Sequence, residues 1–313
     1  MTFLSPFPTL EASSDAEAFA ALHGRPPGAF CDTEEVEAIA SRGIGCLAAG
    51  VPVHLCGPAG IGKTALAIRM AAQIGRPMSL LTGHEGLTSK DLVGREIGHS
   101  ESVVVDKYIQ SVRRKQTESR IDWREAMLAP AMRKGHTLIY DEFTRASPQA
   151  NVVLLSVLEE GVLVSGGGAS GHSYVRAHPD FRIILTSNPS DYAAVNAAPD
   201  ALLDRVVTFR LDGYGPATET EIVCATTGLD RDRALRIVGI VRSLRTAHAD
   251  LLLPSMRTSI LVARIAVHAG KSGELTDARL AMIVRDVVRG RAPQIDDDAI
   301  DNAVRAATAR AGG

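Results

Sequence analysis

The octapeptide GPAGIGKT at residues 57–64 constrains this chain more than any other feature. It follows the apolar run VPVHL (51–55) and precedes the helix-compatible stretch Ala65 to Ile74, so strand, glycine turn and helix are expected in that order. Glycines at 57, 60 and 62 let the backbone curl until its amides point inward, and the next helix adds the positive end of its dipole. Such a turn takes phosphate oxygens. The expected nucleotide-binding residues are Gly57, Pro58, Ala59, Gly60, Ile61, Gly62, Lys63, Thr64 and Ala65. Lys63 would reach the β- and γ-phosphates, and the Thr64 hydroxyl would hold Mg2+. A glycine turn carrying an exposed lysine is the bland alternative, and the strand and helix on either side argue against it.

Four further apolar runs follow VPVHL: PMSLL (77–81), HTLIYDE (136–142), FRIILTSN (181–188) and VVTFRL (206–211). Their near-continuous hydrophobicity suits parallel strands covered on both faces, and helix-like stretches lie between them. In SPQANVVLLSVLEEG, Ser147 is placed to cap, Pro148 to take the first turn, and Val153, Leu154, Val157 and Leu158 to form one apolar face before Gly161. Asp32 with Glu35 has the form of a capping box opening a helix towards Leu47. Strands alternating with helices predict an α/β fold with a doubly wound, five-stranded parallel sheet. After Asp212 the pattern changes at GYGP (213–216), and Ile237, Val241 and Leu244, then Leu261 and Ile265, then Leu280, Ile283 and Val287 recur at helical spacing. Three regions are expected: a loosely ordered arm at 1–30, an α/β nucleotide-binding domain at 31–212 and a smaller all-helical domain at 213–313.

The run TLIYDEFTR (137–145) drives a buried strand into two acids. Beside a phosphate-binding loop, Asp141 is the expected carboxylate of the hydrated magnesium site. Glu142, on the other side of the pleat, would polarise an attacking water. Asn188, ending the next strand, could sit between the γ-phosphate and that water, although an Asn before Pro189 is more often a turn residue. Arg205 in DALLDRVV and Arg257 in PSMRTSI are candidates to stabilise charge on the transferring phosphoryl, one from a neighbouring subunit and one from the helical domain. Solvated charges or structural ion pairs are the plainer reading of both.

Other features carry less. A net charge of -2 with 22% charged residues gives no basic bias, so nucleic acid is not an expected partner. Arg113-Arg114-Lys115 is read as a solvated helix face. Cys31, Cys46, Cys56 and Cys224 lack metal or disulfide spacing and read as small hydrophobes in a reducing compartment. His54, His84, His136 and His178 show no ligand spacing and are expected in core or surface roles. SGGGASG (165–171) reads as a hairpin tip. The opening MTFLSPFPTL lacks the pattern of a secretory leader and no apolar run is long enough to span a membrane, so a cytoplasmic protein is expected.

GPAGIGKT, LIYDEFTR, LTSN, LLDR and PSMR, in that order, resemble the Walker A, Walker B, sensor 1, arginine finger and sensor 2 elements of AAA+ ATPases, over roughly residues 32 to 290. The hairpin before the Asn188 strand and the long 84–135 insertion are similar to the MoxR branch. Within it, VPVHLCGPAGIGKTALA, SKDLVGREIG, VVDKYIQSV, TLIYDEFTRASPQANVVLLSVLEEG and HPDFRIILTSNPSDYAAV resemble the gas vesicle protein GvpN family. Met256 departs from the branch, where sensor 2 segments often carry Pro. The resemblance implies an AAA+ fold whose helical domain acts as a lid, and an ATPase using ATP and Mg2+. It further implies a ring, commonly a hexamer, with its arginine finger acting in trans. The implied role is assistance in gas vesicle assembly or growth, through shell or accessory proteins, in the cytoplasm and in association with the vesicles. Activation of a metalloenzyme in the manner of CbbQ and NorQ, or a scaffold that binds ATP without turnover, are the alternatives. Arg145 has two open assignments, pairing with Glu142 or meeting a neighbouring subunit.

Overall fold

Val53–Cys56, Thr137–Asp141 and Arg182–Ser187 are buried along nearly their whole length, as strands covered on both faces are, whereas Val207–Arg210, expected to be covered likewise, is largely exposed. The computed structural model describes residues 31, 33–105, 115–166, 172–188, 200–248, 255–270, 276–290 and 292–311. The strands are β1 (Val53–Cys56), β2 (Met78–Thr82), β3 (Gly94–Val105), β4 (Lys115–Glu125), β5 (Thr137–Asp141), β6 (Val162–Gly166), β7 (His172–Arg176), β8 (Arg182–Ser187) and β9 (Val207–Arg210). Five of them form one parallel sheet in the order β2-β5-β8-β1-β9, and these five are the five apolar runs. The register sets Thr82 opposite Asp141 and Tyr140 opposite Leu185, which brings the strand ends of β2, β5 and β8 level.

Two antiparallel hairpins lie outside that sheet. The β6–β7 hairpin pairs Val162 with Arg176 and Gly166 with His172; of the stretch 165–171 expected as a hairpin tip, Ser165 and Gly166 belong to β6 and 167–171 lie outside the described residues. The β3–β4 hairpin was not expected, because GREIGHSESVVV and KQTESRIDWRE lack the continuous hydrophobicity of a covered strand. Lys115 opens β4, which corrects the reading of Arg113-Arg114-Lys115 as a helix face; Arg113 and Arg114 are outside the described residues, as is the arm 1–30.

The chain forms two compact units. The first holds Gly45–His54 and Ala71–Thr208; the second holds Leu55–Met70, Phe209–Gly313 and the described residues before Gly45. In the first unit the core gathers Leu92, Leu128, Met132, Leu138, Tyr140, Phe143, Leu154, Leu163 and Leu185. Ser147 caps as expected, its hydroxyl accepting from Ala150 N at 3.2 Å with Pro148 in the first turn. The helix is broken at Val152 into Pro148–Asn151 and Val153–Glu160, and Gly161 closes it with φ 64°. His54 and His136 are buried and His84 and His178 exposed; His136 Nδ1 lies 2.9 Å from Ser79 Oγ, and burial pushes its pKa down.

The second unit opens on the helix Glu34–Ala48. Thr33 Oγ1 takes the amide of Val36 at 3.4 Å, while the Glu35 carboxylate leaves the helix and accepts from Gly215 N at 3.0 Å. This replaces the Asp32–Glu35 capping box, and Asp32 itself is outside the described residues. After GYGP the described chain is helical throughout: Pro216–Thr227, Arg231–Ala247, Met256–Gly270, Asp277–Arg289 and Asp297–Ala311. Ile237, Val241, Leu244, Leu280 and Ile283 are buried as their spacing predicts. The third face is rotated: Ile265 is 43% exposed, and Val262, Ala263 and Ala266 are buried in its place. Two alanines allow close helix approach there, which a hydrophobicity pattern weighted to large residues does not register.

Glu219 is 1% exposed and meets Arg245 Nη1 at 2.8 Å and Arg242 Nη1 at 3.2 Å. Removing one partner of a buried pair leaves the other charge uncompensated. Because both arginines are about a third exposed, we expect Glu219→Ala to cost about 2–3 kcal/mol, below the full buried-pair figure. Urea unfolding followed by circular dichroism would measure it; a loss under about 0.5 kcal/mol would show that the arginines simply rehydrate.

Candidate active site

In the second unit, β1 hands its last residue, Cys56, directly to the glycine turn, and the helix Lys63–Ile74 follows. Gly60 (φ 82°) and Gly62 (φ 100°) adopt left-handed conformations that side chains disfavour. A Cβ at Gly57 would sit 2.4 Å from the carbonyl oxygen of Leu211, whose own amide donates to Cys56 O at 2.8 Å. The three glycines are thus required for two reasons, backbone conformation at 60 and 62 and close approach at 57. Lys63 is buried, and its ammonium donates to Gly57 O at 2.7 Å and Pro58 O at 3.0 Å. A desolvated cation held over curled backbone is an anion site in kind.

The segment Ser255–Arg257 lies against the tip of this turn. A Cβ at Gly60 would meet Ser255 Oγ at 2.8 Å and Arg257 Cβ at 2.9 Å. Met256, the residue that departs from the MoxR pattern, is buried with its Cε within 3.5 Å of the position a Gly62 Cβ would take. The Cβ of Arg257 therefore lies beside the glycine turn despite that departure. Beside the loop is a cavity of about 70 Å3, with Val36, Ile61, Leu66, Ile222, Met256 and Ile260 among its walls. Tyr214 also lines it, its phenol pushed up to about 12 by burial and the nearby Glu35 carboxylate. No sequence pattern marks this cavity, because its walls come from well-separated segments.

In the first unit, Asp141 and Glu142 emerge at the end of β5 beside the end of β8. Thr186 ties them together: its hydroxyl donates to Asp141 Oδ1 at 2.5 Å and accepts from Glu142 N at 2.9 Å. Glu142 has φ 53°, and among the described residues it is the one non-glycine with positive φ. Strain of that kind concentrates at functional positions. Gly83, after β2, donates to Asp141 O at 2.8 Å, and a Cβ on it would lie 2.2 Å from Glu142 O. Below the acids, Tyr140 donates to Asn151 Oδ1 at 2.9 Å and Asn151 Nδ2 donates to Phe143 O at 3.0 Å. His54 packs edge-on against Phe143 at 5.5 Å, with Nε2 2.8 Å from Ser187 Oγ and Nδ1 3.0 Å from Thr208 Oγ1.

Of the other candidates, Asn188 follows β8 directly and is half-buried. Arg145 takes the first of its two assignments, with Nε 3.1 Å from Glu142 Oε2. Arg205 is engaged within its own unit: Nε and Nη2 meet Glu159 Oε2 at 3.1 and 2.6 Å, and Nη1 donates to Ala201 O at 2.5 Å. Thr64 is the second residue of the helix Lys63–Ile74, and a threonine hydroxyl and a carboxylate such as that of Asp141 are each oxygen ligands of the kind Mg2+ takes. No motif in the sequence marks Gly83 or Asn151 as part of this arrangement. Thr186 had a signal: in a β-strand it shares a face with Asn188.

A family model described as AAA domain (dynein-related subfamily) matches residues 52–206. The Gas vesicle ATPase GvpN of Ancylobacter aquaticus is 41% identical over 87% of this chain and 76% of its own length. That of Haloferax mediterranei is 45% identical over 69% of this chain and 62% of its own. The chain belongs to the gas vesicle ATPase GvpN family. Its members are AAA+ ATPases, and the Protein NorQ of Paracoccus denitrificans is a more distant relative, 28% identical over 68% of this chain and 71% of its own length. Among solved structures, a RuvB of Thermotoga maritima superposes with a TM-score of 0.52 at 17% identity, covering 88% of this chain and 75% of that one, a likeness of fold alone.

The Glu142 turn in this GvpN-family chain sets a test of packing. We expect Gly83→Ala to cost about 2 kcal/mol or more, because the carbonyl it strikes belongs to fixed backbone. Gly45→Ala, on an exposed helix position with open space around it, is expected to be neutral or stabilising by up to about 1 kcal/mol. Equal unfolding midpoints for the two variants would remove the steric argument.

Proposed function

We propose that this chain hydrolyses ATP with Mg2+ as one subunit of a ring, hexameric in the manner the family resemblance implies, and that the cycle assists gas vesicle assembly or growth by remodelling shell or accessory proteins. The observation that carries the nucleotide part is the buried Lys63 over the Gly57–Gly62 turn, flanked by an apolar cavity that suits a planar base. The vesicle part is supported by relatives at 41% and 45% identity that bear the name Gas vesicle ATPase. NorQ, at 28%, and CbbQ of Hydrogenophilus thermoluteolus, at 26%, are more distant, so activation of a metalloenzyme is the weaker reading.

In this reading the backbone amides of residues 57 and 59–65 and the Lys63 ammonium hold the phosphates, and Thr64 and Asp141 would hold Mg2+, which would supply positive charge to the phosphate oxygens. Glu142 accepts a proton from water as its oxygen bonds to the γ-phosphorus and the bond to the bridging oxygen breaks, giving ADP and phosphate. Asn188 orients that water. Arg257 contributes positive charge from beside the loop, and Arg205 contributes it to the site of a neighbouring copy, exchanging Glu159 for phosphate. No described helix is long and apolar enough to cross a membrane, and we place the protein in the cytoplasm, at growing vesicles.

Lys63→Ala should abolish ATP binding in a filter or fluorescence assay. Glu142→Gln should still bind ATP while turnover falls about 100-fold or more; undiminished turnover would exclude Glu142 as the base, and normal vesicle formation with that variant would favour a non-hydrolysing scaffold. Arg205→Ala should leave ATP binding intact and lower turnover by about 1,000-fold at concentrations where light scattering shows assembled rings. Undiminished turnover there would place the finger elsewhere.

A further inference from the structure

The last two residues of β8 are held on opposite faces of the pleat. Successive side chains of a strand point to opposite sides; Thr186 is tied to Asp141 and to the Glu142 amide on one side, while Ser187 meets His54 on the other, its Oγ 2.8 Å from Nε2. Both residues are fully buried. Asn188 comes next, and Pro189 follows it in the sequence, which disfavours a helical backbone at 188. With two soft torsions per residue, a tilt at Ser187 is passed directly to Asn188.

His54 is itself held on three sides. It is 1% exposed, its Nδ1 lies 3.0 Å from Thr208 Oγ1 in β9, and its ring packs edge-on against Phe143 with centroids 5.5 Å apart. A neutral imidazole carries one donor and one acceptor, and a hydroxyl can answer either, so both polar contacts survive in either tautomer. One ring thus joins β1, β8, β9 and the turn after β5. A histidine that only filled the core would need neither hydroxyl; two contacts at hydrogen-bond distance give this one a directional hold. No step of the hydrolysis proposed above touches it.

We propose that His54 is a positioning residue: by holding Ser187 it aims the Asn188 side chain at the attacking water. This rests on the reading of Asn188 as the group that orients that water. A misplacement on the order of 1 Å costs about 100-fold in rate. Losing one of the two holds on the end of β8 costs less, because Thr186 remains.

The test compares wild type with His54→Leu, His54→Gln, Ser187→Ala and Asn188→Ala, and with the double variants that add Asn188→Ala to His54→Leu and to Ser187→Ala. Steady-state ATP turnover gives kcat and KM, a fluorescent ATP analogue gives affinity, and circular dichroism gives the unfolding midpoint. His54→Leu is expected to lower kcat about ten-fold with KM and analogue affinity unchanged. Ser187→Ala removes the same contact from its other end and should match it. His54→Gln, which keeps a donor and an acceptor, should recover part of the loss. Once Asn188 is already alanine, neither substitution should lower kcat further. A histidine that merely stabilises the fold would lower the midpoint and leave kcat of the folded protein unchanged, or multiply its effect onto that of Asn188→Ala; either result overturns the proposal. Ser187→Ala decides the matter if His54→Leu does not fold. Wild-type kcat in Asn188→Ala alone would overturn the role of Asn188 and this proposal with it, and turnover by wild type no greater than by Lys63→Ala would overturn the ATPase reading; neither measurement involves a change at His54, so these failures are told apart from its own.

Discussion

A strand buried along nearly its whole length, as β1, β5 and β8 are, has no free face on which to place charged chemistry, and such groups appear where the strand runs out. The consequences are visible at each strand end. β1 ends in the glycine turn that folds over Lys63, β5 ends in Asp141 and Glu142, and β8 ends in Ser187 and Asn188. The level register of β2, β5 and β8 lets Thr186 reach both acids and lets Gly83 close on their carbonyls. Within the first unit, packing of these three strands therefore fixes Gly83, Asp141, Glu142 and Thr186 relative to one another to within a hydrogen bond.

Fixing an acid this firmly has a conformational cost, and the structure shows where it is met. Glu142 sits in the left-handed region, at a cost on the order of 1 kcal/mol for a non-glycine residue. Its amide bond to Thr186, the Asn151 bridge from Tyr140 to Phe143 O and the packing of His54 on Phe143 each act on the same few residues. Burial raises the Tyr140 phenol well above its ordinary range, so it stays a neutral donor to Asn151. The result is a rigid turn whose two charged side chains, Glu142 and Arg145, reach solvent.

The second unit solves a different problem, joining distant segments around one cavity. Glu35 reaches Gly215, Arg69 reaches the carbonyl of Cys31 at 3.3 Å, and Leu211 backs onto Gly57. Helices capped by Asp230 and Thr276 then stack on a core rich in alanine, where small residues permit close approach. That same choice turned the face of Met256–Gly270 away from the one its larger residues suggest, leaving Ile265 outward.

The sequence by itself determined the five sheet strands, the glycine turn before Lys63 and the acidic strand end, because each is a local pattern: a short apolar run, three glycines around a lysine, two acids after a buried tyrosine. Family membership was legible too, in DEFTR and its companions. Only the tertiary structure decided that Thr186 bridges the two acids, that Arg257 meets Gly60, that Glu35 leaves its helix for Gly215, that Arg205 pairs with Glu159 and that Arg145 pairs with Glu142. Most of these join residues distant in sequence through a single polar group or a close backbone approach. Arg145, only three residues from Glu142, had alternatives that spacing could not rank. Hydrophobic periodicity reports which face of an element is buried; it carries no record of which polar atom lies across the gap.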